Sequence, residues 1–287
     1  ILRAQNIFHE NGFTHVRDVG CEFQQWEILK KLEINNQLQL FVESFYYLKD
    51  DIPLNEFLDK IVSLKNQDSA LIKSRGLKIF FDGALGSEGA LLSGNYQGSG
   101  QCGFQIYSDE ILKDIIAATW QRNLEVAVHC IGDLAVEKVV DISLDLQSEG
   151  VFGKIHLEHA QMAKPTDILK MKNLNVSCHM QPCHWLSDRP WLKDKLGELY
   201  AFVFPWQALK QAGIDFDFGS DSPIEKPSIF TNLVALYESP QAGINKLQGD
   251  LKPYFQYGRK DSVSGCKTYF ENGKVKEVYF LNKKIYG

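Results

Sequence analysis

Several features that would mark other classes of protein are missing from this chain of 287 residues. No apolar run approaches the roughly 18 residues that a membrane-spanning helix needs, and Lys and Arg form no cluster that would bind nucleic acid or an anionic membrane. The six cysteines form no Cys-x-x-Cys pair and no regular framework, which is typical of reduced thiols in a cytoplasmic protein. The chain is therefore expected to be cytoplasmic. Its net charge of −5 argues against a nucleic-acid or membrane partner, so a small-molecule substrate is expected.

The chain also has no internal repeat and no low-complexity tract. Apolar residues make up 44% of it, which is enough for one large core, and a barrel of eight β/α units takes about 250 residues. The start of the chain looks like neither an initiator methionine nor a signal peptide, so we interpret Ile1 as a cut end. One main domain is therefore expected.

Strand and helix patterns alternate at about the 30-residue interval of a (β/α)8 barrel. Strands are predicted at 14–20, 39–46, 77–81, 126–130, 154–159, 175–181 and 215–220, and helices at 2–10, 54–64, 108–121, 133–149, 206–211 and 229–237. We expect Asp133 to cap the helix at 133–149 and Gly150 to stop it. The fold class is α/β, a distorted (β/α)8 TIM-type barrel with seven strands evident. Because the chain opens on a helix, the missing first strand is expected before Ile1.

Two long insertions and a C-terminal tail depart from this alternation. The insertions 83–104 and 182–204 follow predicted strands, so they are expected to be loops that shape a pocket or lid; the alternative is a solvated excursion. The tail 265–287 alternates apolar and polar residues around Asn272-Gly273, which predicts a β-meander. We therefore divide the chain into an incomplete barrel at 1–240, a connector at 241–264 and this tail.

Four side chains stand at or near the ends of predicted strands, where (β/α)8 barrels build their active sites. They are Lys78 in LKIFFDG, His129 in VAVHCIGD, His159 in IHLEHAQ and Asp221 in FGSDSP. Neutral imidazole is the commonest metal ligand, and a carboxylate or a lysine-derived oxygen can bridge a second ion. Together these residues predict a metal-dependent hydrolase in which the four side chains converge on one pocket.

Each of these residues also has a structural interpretation. A single histidine at a strand end is more often held by structural hydrogen bonds than bound to metal, as we expect for His156 and His179. Lys78 could form a buried ion pair with Asp82 or Asp221, and Asp221 could cap the helix that follows it. These alternatives stay open at the level of sequence.

The alternation of side chains along a strand orients some of these residues. Successive side chains face opposite sides of a sheet, so His156 and His159 are predicted on opposite faces, with His159 inward. The same alternation places Lys78, Phe80 and Asp82 on one face. Burial of an unpaired ammonium costs several kcal/mol or lowers its pKa, and carboxylation with metal binding would remove that cost for Lys78.

At these residues the chain resembles the amidohydrolase superfamily, and most closely its family 3, the branch that contains N-substituted formamide deformylase-like enzymes. The resemblance covers about residues 2–238 and rests on GFTHVRDVG (12–20), LKIFFDGALGS (77–87), AVHCIGDLAV (127–136), LEHAQ (157–161), MQPCHW (180–185) and GSDSP (219–223) in this order. It implies one or two divalent ions, usually zinc, with Lys78 as a carboxylated bridging ligand and His129 and His159 as further ligands. Asp221 would bind metal, accept the proton of the attacking water and pass it to the leaving nitrogen.

The same resemblance implies substrate contacts and a reaction. His184, Asp82 and the loop after it would contact the substrate, and we place Trp185 with them. The tail would belong to an accessory β-sandwich. The implied reaction is hydrolysis of a non-peptide C–N bond, in an amide, formamide or cyclic amide, by metal-activated water. A second hypothesis is a truncated or inactive barrel that only binds a small molecule. A third, a phosphate-binding lyase or isomerase, lacks a glycine-rich loop near the last two strands.

One feature of the family is not found in the sequence. Family members carry a His-x-His pair on the first barrel strand, whereas HEN (9–11) and THV (14–16) supply single histidines. We therefore expect this chain to be a fragment, inactive by itself and able to bind metal at one position at most. A homo-oligomer is compatible with the sequence.

Overall fold

Seven parallel strands form the main sheet, in a computed structural model that describes residues 1–49, 52–255 and 265–287. They are β1 (His15–Cys21), β2 (Phe41–Tyr47), β3 (Ile72–Phe80), β4 (Glu125–Cys130), β5 (Ile155–His159), β6 (Val176–Met180) and β7 (Asp215–Phe218). The strands pair in chain order from β1 to β7. All seven predicted strands are confirmed, although β3 begins earlier than predicted.

Ten α-helices lie along the described chain. They are α1 (Leu2–Glu10), α2 (Phe23–Ile34), α3 (Leu54–Lys65), α4 (Asp109–Trp120), α5 (Asp133–Ser148), α6 (Pro165–Met171), α7 (Pro182–Asp188), α8 (Leu192–Leu196), α9 (Trp206–Ala212) and α10 (Ile229–Glu238). Leu77 and Ile79 of β3 and Val126 and Val128 of β4 are fully buried. They alternate with the polar side chains of the same strands, so the apolar core lies between the sheet and the helices that pack on it.

The predicted cap of helix α5 at Asp133 is wrong. Its N-cap residue is Gly132, and the side chain of Asp133 accepts hydrogen bonds from the backbone N–H and the hydroxyl of Ser93 instead. Asp133 therefore ties the insertion 83–104 to α5, because that insertion passes directly over the start of the helix. Gly150, with a φ of +84°, follows the end of the helix as predicted.

The second insertion, 182–204, is not the loop that the sequence predicted. It folds into α7, α8 and a 3-10 helix at Gly197–Phe202, and its apolar side chains Leu192 and Leu196 are buried. The helices α7 and α8 have only seven and five residues, which is too short to show a clear hydrophobic period, so the sequence did not predict them. The first insertion, 83–104, contains no helix or strand, as predicted.

The sheet is curled and, within the described residues, open. β1 pairs only with β2 and β7 only with β6, so the predicted eighth strand is not found in this part of the chain. Arg17 on β1 nevertheless reaches Glu158 on β5, with 2.9 Å between Nη2 and Oε1. A contact between strands that are not neighbours requires a concave face, and this face carries the polar side chains.

The C-terminal tail forms a separate antiparallel sheet, which confirms the predicted meander. Its strands are β8 (Lys267–Glu271), β9 (Lys274–Phe280) and β10 (Lys283–Tyr286). Thr268 donates a hydrogen bond to the carbonyl of Gly12 (2.7 Å), and the ring of Phe280 packs against that of Phe41. The tail thus contacts the amino-terminal end of the main sheet.

The predicted connector 241–264 is only partly described. Two 3-10 helices lie at Ser239–Ala242 and Lys252–Phe255, and residues 256–264 fall outside the described ranges. The domain boundaries at 240 and 265 therefore stay a prediction. Among the residues that the structure describes, none of the helices combines the length and apolar content required to cross a membrane.

Candidate metal centre

The carboxyl ends of β3, β4, β5 and β7 bring the four predicted metal ligands to one edge of the sheet. Lys78 lies in β3, His129 in β4 and His159 at the end of β5, while Asp221 lies in the turn after β7. The rings of His129 and His159 meet edge to face, with centroids 4.5 Å apart. The charge of Asp221 also acts on the ammonium of Lys78. We call this end of the curled sheet the mouth.

His159 reaches the mouth for a different reason than strand alternation. Its φ is +72°, and that of Ala160 is +40°, so the extended backbone ends at His159. The prediction that His156 faces away from the interior is wrong, because its ring packs on Phe45 of the distant β2 inside the sheet. His159 Nδ1 lies 2.8 Å from Oε1 of Gln181, which leaves Nε2 for another partner. A bond of this kind fixes the orientation of a metal-binding imidazole.

His129 is a buried imidazole with an unused nitrogen. Its Nδ1 has no hydrogen-bond partner among the described residues, and its Nε2 lies 3.4 Å from the carbonyl oxygen of Gly83. Burial, with a smaller contribution from the charge of Lys78, lowers the pKa of His129 to about 3. Burial also holds the pKa of His159 well below its usual range. Both rings are therefore neutral at pH 7, which is the form that binds metal.

Lys78 is buried without a salt bridge. Only 3% of the residue is exposed, and within the described residues its Nζ forms no ion pair with Asp82 or Asp221. Its Nζ lies 4.6 Å from the centroid of the Phe80 ring instead. Burial lowers the pKa of Lys78 to about 8, which increases the fraction of neutral amine.

Asp221 does not cap the helix that follows it. The cap of α10 is Ser228, whose hydroxyl accepts a hydrogen bond from the backbone N–H of Thr231. Asp221 has a φ of +55°, and burial raises the pKa of its carboxyl to about 6. Its Oδ2 lies 3.9 Å from Nε2 of His184. The carboxylate is thus available at the mouth, beside another imidazole.

The donors at the mouth match a divalent ion in kind but are not gathered around one point. In the described ranges, no three His, Cys, Asp or Glu side chains lie close enough together to hold a metal ion by themselves. The unpartnered Nδ1 of His129 and the free Nε2 of His159 are suitable donors. Lys78 is a further side chain at this place that the resemblance implies as a ligand.

The side chain of Asp82 is buried and bonds backbone N–H groups. Its carboxylate accepts hydrogen bonds from the backbone N–H of Leu91, Ile131 and Gly132, at 2.9 to 3.3 Å. Burial raises the pKa of Asp82 to about 7, although these bonds oppose the shift. The side chain thereby joins the insertion 83–104 to the end of β4. Its predicted contact with substrate stays a prediction.

The other two predicted substrate contacts lie on α7. The ring of His184 lies nearly parallel to that of His159, with centroids 5.9 Å apart, and its Nε2 is buried without a partner. Trp185 is 3% exposed and has the guanidinium of Arg189 over its ring. Asn232 of α10 accepts a hydrogen bond from the N–H of Cys183 and so fixes the start of α7. The substrate roles of His184 and Trp185 stay predictions.

The two insertions contact each other. Lys195 donates a hydrogen bond to the carbonyl of Gly86 and lies 3.3 Å from a carboxylate oxygen of Glu88. The carbonyl of Lys195 in turn accepts a hydrogen bond from the N–H of Gln97. The insertions therefore form one connected structure instead of two independent loops.

Sequence analysis missed a polar layer on the concave face below the mouth. Arg17 bonds both carboxylate oxygens of Glu158, and His156 and His179 bond each other between Glu125 and Asp217. Strand alternation was the available signal, because in the register Glu158 pairs with His129 on one side and His179 on the other. The expectation that His156 and His179 are held by structural hydrogen bonds is confirmed.

Two curated proteins are similar to this chain. YtcJ of Bacillus subtilis (strain 168), an amidohydrolase by name, is 36% identical over 174 residues, which are 60% of this chain and 32% of that protein. Protein LONG AFTER FAR-RED 3 of Arabidopsis thaliana is 28% identical over 241 residues, which are 78% of this chain and 40% of that protein. This chain thus spans well under half of either relative.

Two crystal structures are similar in fold and sequence. An uncharacterized metal-dependent hydrolase from Pyrococcus horikoshii OT3 has a TM-score of 0.70 and 26% identity, with 85% of this chain and 49% of that chain covered. One from Pyrococcus furiosus has a TM-score of 0.64 and 26% identity, with 77% and 45% covered. The amidohydrolase family matches residues 1–237, which is most of the chain. The chain therefore belongs to the amidohydrolase family, in the family 3 branch that its motifs indicated.

Proposed function

We propose that the protein containing this chain is a metal-dependent hydrolase that cleaves a non-peptide C–N bond in an amide, formamide or cyclic amide. The observation that carries the proposal is the meeting of His129 and His159 at the mouth, each with a nitrogen that no described residue uses. Membership of the amidohydrolase family supports it, as does the similarity to two metal-dependent hydrolases.

Four side chains would hold the metal. His129 and His159 would each supply one ring nitrogen, and Asp221 would supply a carboxylate oxygen. Lys78 would contribute oxygen after carboxylation, which needs a neutral amine of the kind that burial favours. A bound divalent ion, of which we propose zinc, supplies Lewis acidity that activates water near neutral pH and polarises the scissile carbonyl.

Asp221 would carry the proton during the reaction. Its carboxylate takes a proton from the attacking water as the water oxygen bonds to the carbonyl carbon, and it gives that proton to the nitrogen as the C–N bond breaks. The products are a carboxylic acid and an amine. His184, 3.9 Å from Asp221, would contact the substrate on this side, and Trp185 would support the wall behind it. The loop after Asp82 would close the opposite side.

One observation favours a second candidate, a barrel that binds a small molecule without turnover. No three His, Cys, Asp or Glu side chains in the described part of the chain gather around one point. A pocket without a complete ligand set would still bind a small molecule through the same walls. Metal binding distinguishes this candidate from the first.

The test uses the full-length product of the encoding gene, with and without Zn²⁺. We expect bound zinc by elemental analysis and release of an amino group from at least one member of a panel of formamides, acetamides and lactams. Asp221→Asn should retain much of the metal and lose most of the turnover, because the amide keeps an oxygen ligand but cannot take up the proton. Equal turnover by Asp221→Asn would contradict the proton-transfer role, and absence of metal with intact folding would favour the second candidate.

A further inference from the structure

Two buried histidines and two partly exposed carboxylates below the mouth form a continuous row of hydrogen bonds across β4, β5, β6 and β7. Glu125 Oε2 lies 2.6 Å from His156 Nε2, His156 Nδ1 lies 2.8 Å from His179 Nε2, and His179 Nδ1 lies 2.8 Å from Asp217 Oδ1. Both histidines are less than a tenth exposed. We call these four residues the interior row.

The number of hydrogen bonds sets the number of protons in the interior row. Each bond needs one proton between its two heavy atoms, so the three bonds of the row need three protons. Two neutral histidines supply one proton each, and two ionised carboxylates supply none. Without a third proton, two nitrogen lone pairs would face each other between His156 and His179. The row therefore requires one proton in excess of its neutral histidines.

We propose that the folded protein holds this excess proton in the histidine pair of the interior row, within the hydrogen bond between His156 Nδ1 and His179 Nε2. The interior row then carries a net charge of −1, with both carboxylates ionised. This proton site requires neither a metal ion nor hydrolysis, so it stands or falls independently of the proposed function.

The surroundings determine which member of the row carries the proton. Burial raises the pKa of Glu125, but the stronger combined effect of its bond to His156 lowers it to about 2. Burial likewise opposes ionisation of Asp217, and the positive charge of His179 overcomes it and lowers its pKa. Burial lowers the pKa of His156 to about 3, so His156 is the neutral acceptor. The excess proton is therefore held between the two histidines and not by either carboxylate.

Other charged groups face the row from the neighbouring strands. The carboxylate of Glu158, the register partner of His179, favours a positive charge there, while Arg17, bonded to Glu158, opposes it. Further charged side chains around the row, among the described residues, are Glu43, Arg75, Lys78, Lys154 and Asp215. Two carboxylates thus lie next to His179, one on each side, which is why the proton is retained.

The excess proton makes the stability of the sheet depend on pH with a known sign. Above about pH 6.5 an unfolded histidine is neutral, whereas the folded row still binds the proton. The folded state then binds more protons than the unfolded state, so stability falls as the pH rises through the release of the proton. The loss is confined to the alkaline side, at pH values above that of free histidine.

The test is nitrogen NMR on ¹⁵N-histidine-labelled wild-type protein from pH 5.5 to 9.5. At pH 7.5 a free histidine is about one tenth protonated. We expect one imidazolium signal from the pair His156 and His179, more than half populated at that pH, a difference of at least about fivefold. His156→Gln identifies the resonances of the pair. A wild-type spectrum in which every histidine is neutral at pH 7.5 would overturn the proposal, and this measurement needs no variant to fold.

Two isosteric variants test the proton count itself. In Glu125→Gln the side-chain amide can donate to His156, so all three bonds can form without an excess proton; Asp217→Asn can donate to His179 in the same way. We expect the imidazolium signal at pH 7.5 to disappear in either variant. Glu43→Gln is the control, because Glu43 bonds Arg75 and no member of the row. The signal should persist in the control, and its persistence in both isosteric variants would overturn the proposal.

Discussion

Two groups of histidines on the same concave sheet differ in what their ring nitrogens contact. In the interior row, both nitrogens of His156 and both of His179 are hydrogen-bonded. At the mouth, His129 Nδ1 and His184 Nε2 are buried without a partner, and His159 bonds through Nδ1. Buried polar atoms are nearly always hydrogen-bonded in folded proteins, so these nitrogens, unpartnered within the described residues, are available to a ligand.

The backbone differs between the two regions in the same sense. His156 and His179 lie within regular strands, whereas His159, Ala160 and Asp221 all have a positive φ. Such conformations cost about 1–3 kcal/mol for residues other than glycine, and they cluster at functional sites. The interior row thus contributes to stability through satisfied hydrogen bonds. The mouth, in contrast, has strained backbone and unpartnered ring nitrogens that could bind a ligand.

The largest expected effect comes from breaking the ion pair between Arg17 and Glu158 in the polar layer below the mouth. Arg17→Met removes the partner of Glu158, which leaves a buried carboxylate uncompensated, so the free energy of unfolding should fall by about 3–5 kcal/mol. Urea unfolding measures the loss. The control Arg122→Met removes a surface pair with Asp59 and should cost less than about 1 kcal/mol. Similar losses in the two variants would show that the interior pair adds nothing beyond a surface one.

Breaking the mouth alone should remove metal binding without unfolding the protein. Loss of a hydrogen bond that supports a metal ligand lowers metal affinity about 10–100-fold. His129→Ala deletes a proposed ligand itself, so the Zn²⁺ affinity should fall by more than that. Competition with a chromophoric chelator measures the affinity. His9→Ala is the matched control, since His9 is a buried histidine that bonds the carbonyl of Gln39 on the far side of the sheet. Unchanged Zn²⁺ affinity in His129→Ala would remove His129 from the ligand set.

Acid should weaken the interior row through protonation of Glu125, at lower pH than the protonation of Asp221 at the mouth. The pKa of Glu125 is about 2, below the unfolded value near 4.3, so its contribution to stability is complete above pH 4.3 and is lost as the pH falls toward 2. Within that window the loss approaches about 1.4 kcal/mol per pH unit for one proton. Glu125→Gln should show a shallower dependence of the unfolding free energy on pH between 4.5 and 3. Parallel curves for wild type and variant would contradict the assignment.

The smallest effect concerns the hydrogen bond that orients His159 at the mouth. Gln181→Leu removes the acceptor of His159 Nδ1, so the ring can rotate and the Zn²⁺ affinity should fall about tenfold. Gln181→Glu keeps an acceptor at the same place and should retain the affinity of the wild type. If Gln181→Leu binds Zn²⁺ as the wild type does, then His159 is oriented by its strained backbone alone.

Sequence reasoning located the mouth well because the signal is local. An apolar run followed by a polar residue identifies the end of a buried strand, and the ends of parallel strands share one edge. Lys78, His129 and Asp221 were placed in this way, and the family motifs agree with them. The location of His159 was predicted correctly from a wrong premise, since alternation fails where φ becomes positive.

The same reasoning could not predict which groups each polar side chain bonds. Asp82 was expected to face substrate, yet its oxygens bond backbone N–H groups at Leu91, Ile131 and Gly132. Nothing in the local sequence distinguishes a carboxylate that bonds backbone from one that faces a pocket, because both occur after a strand and before glycine. The insertion 182–204 was predicted as a loop for a related reason, since its short helices are stabilised by burial of Leu192 and Leu196 against the core.

The sequence by itself determined the order and direction of the seven strands, the edge at which the chemistry-bearing side chains meet, and the family. Those properties depend on hydrophobic period and on short motifs, which are read within about ten residues. Only the tertiary structure decided which nitrogens are satisfied and which are free. Glu158 finds Arg17 across 141 residues of sequence, and His179 finds Asp217 across 38. Hydrogen bonds between strands distant in sequence depend on how far the sheet curls, and the curl is a property of the whole packed domain.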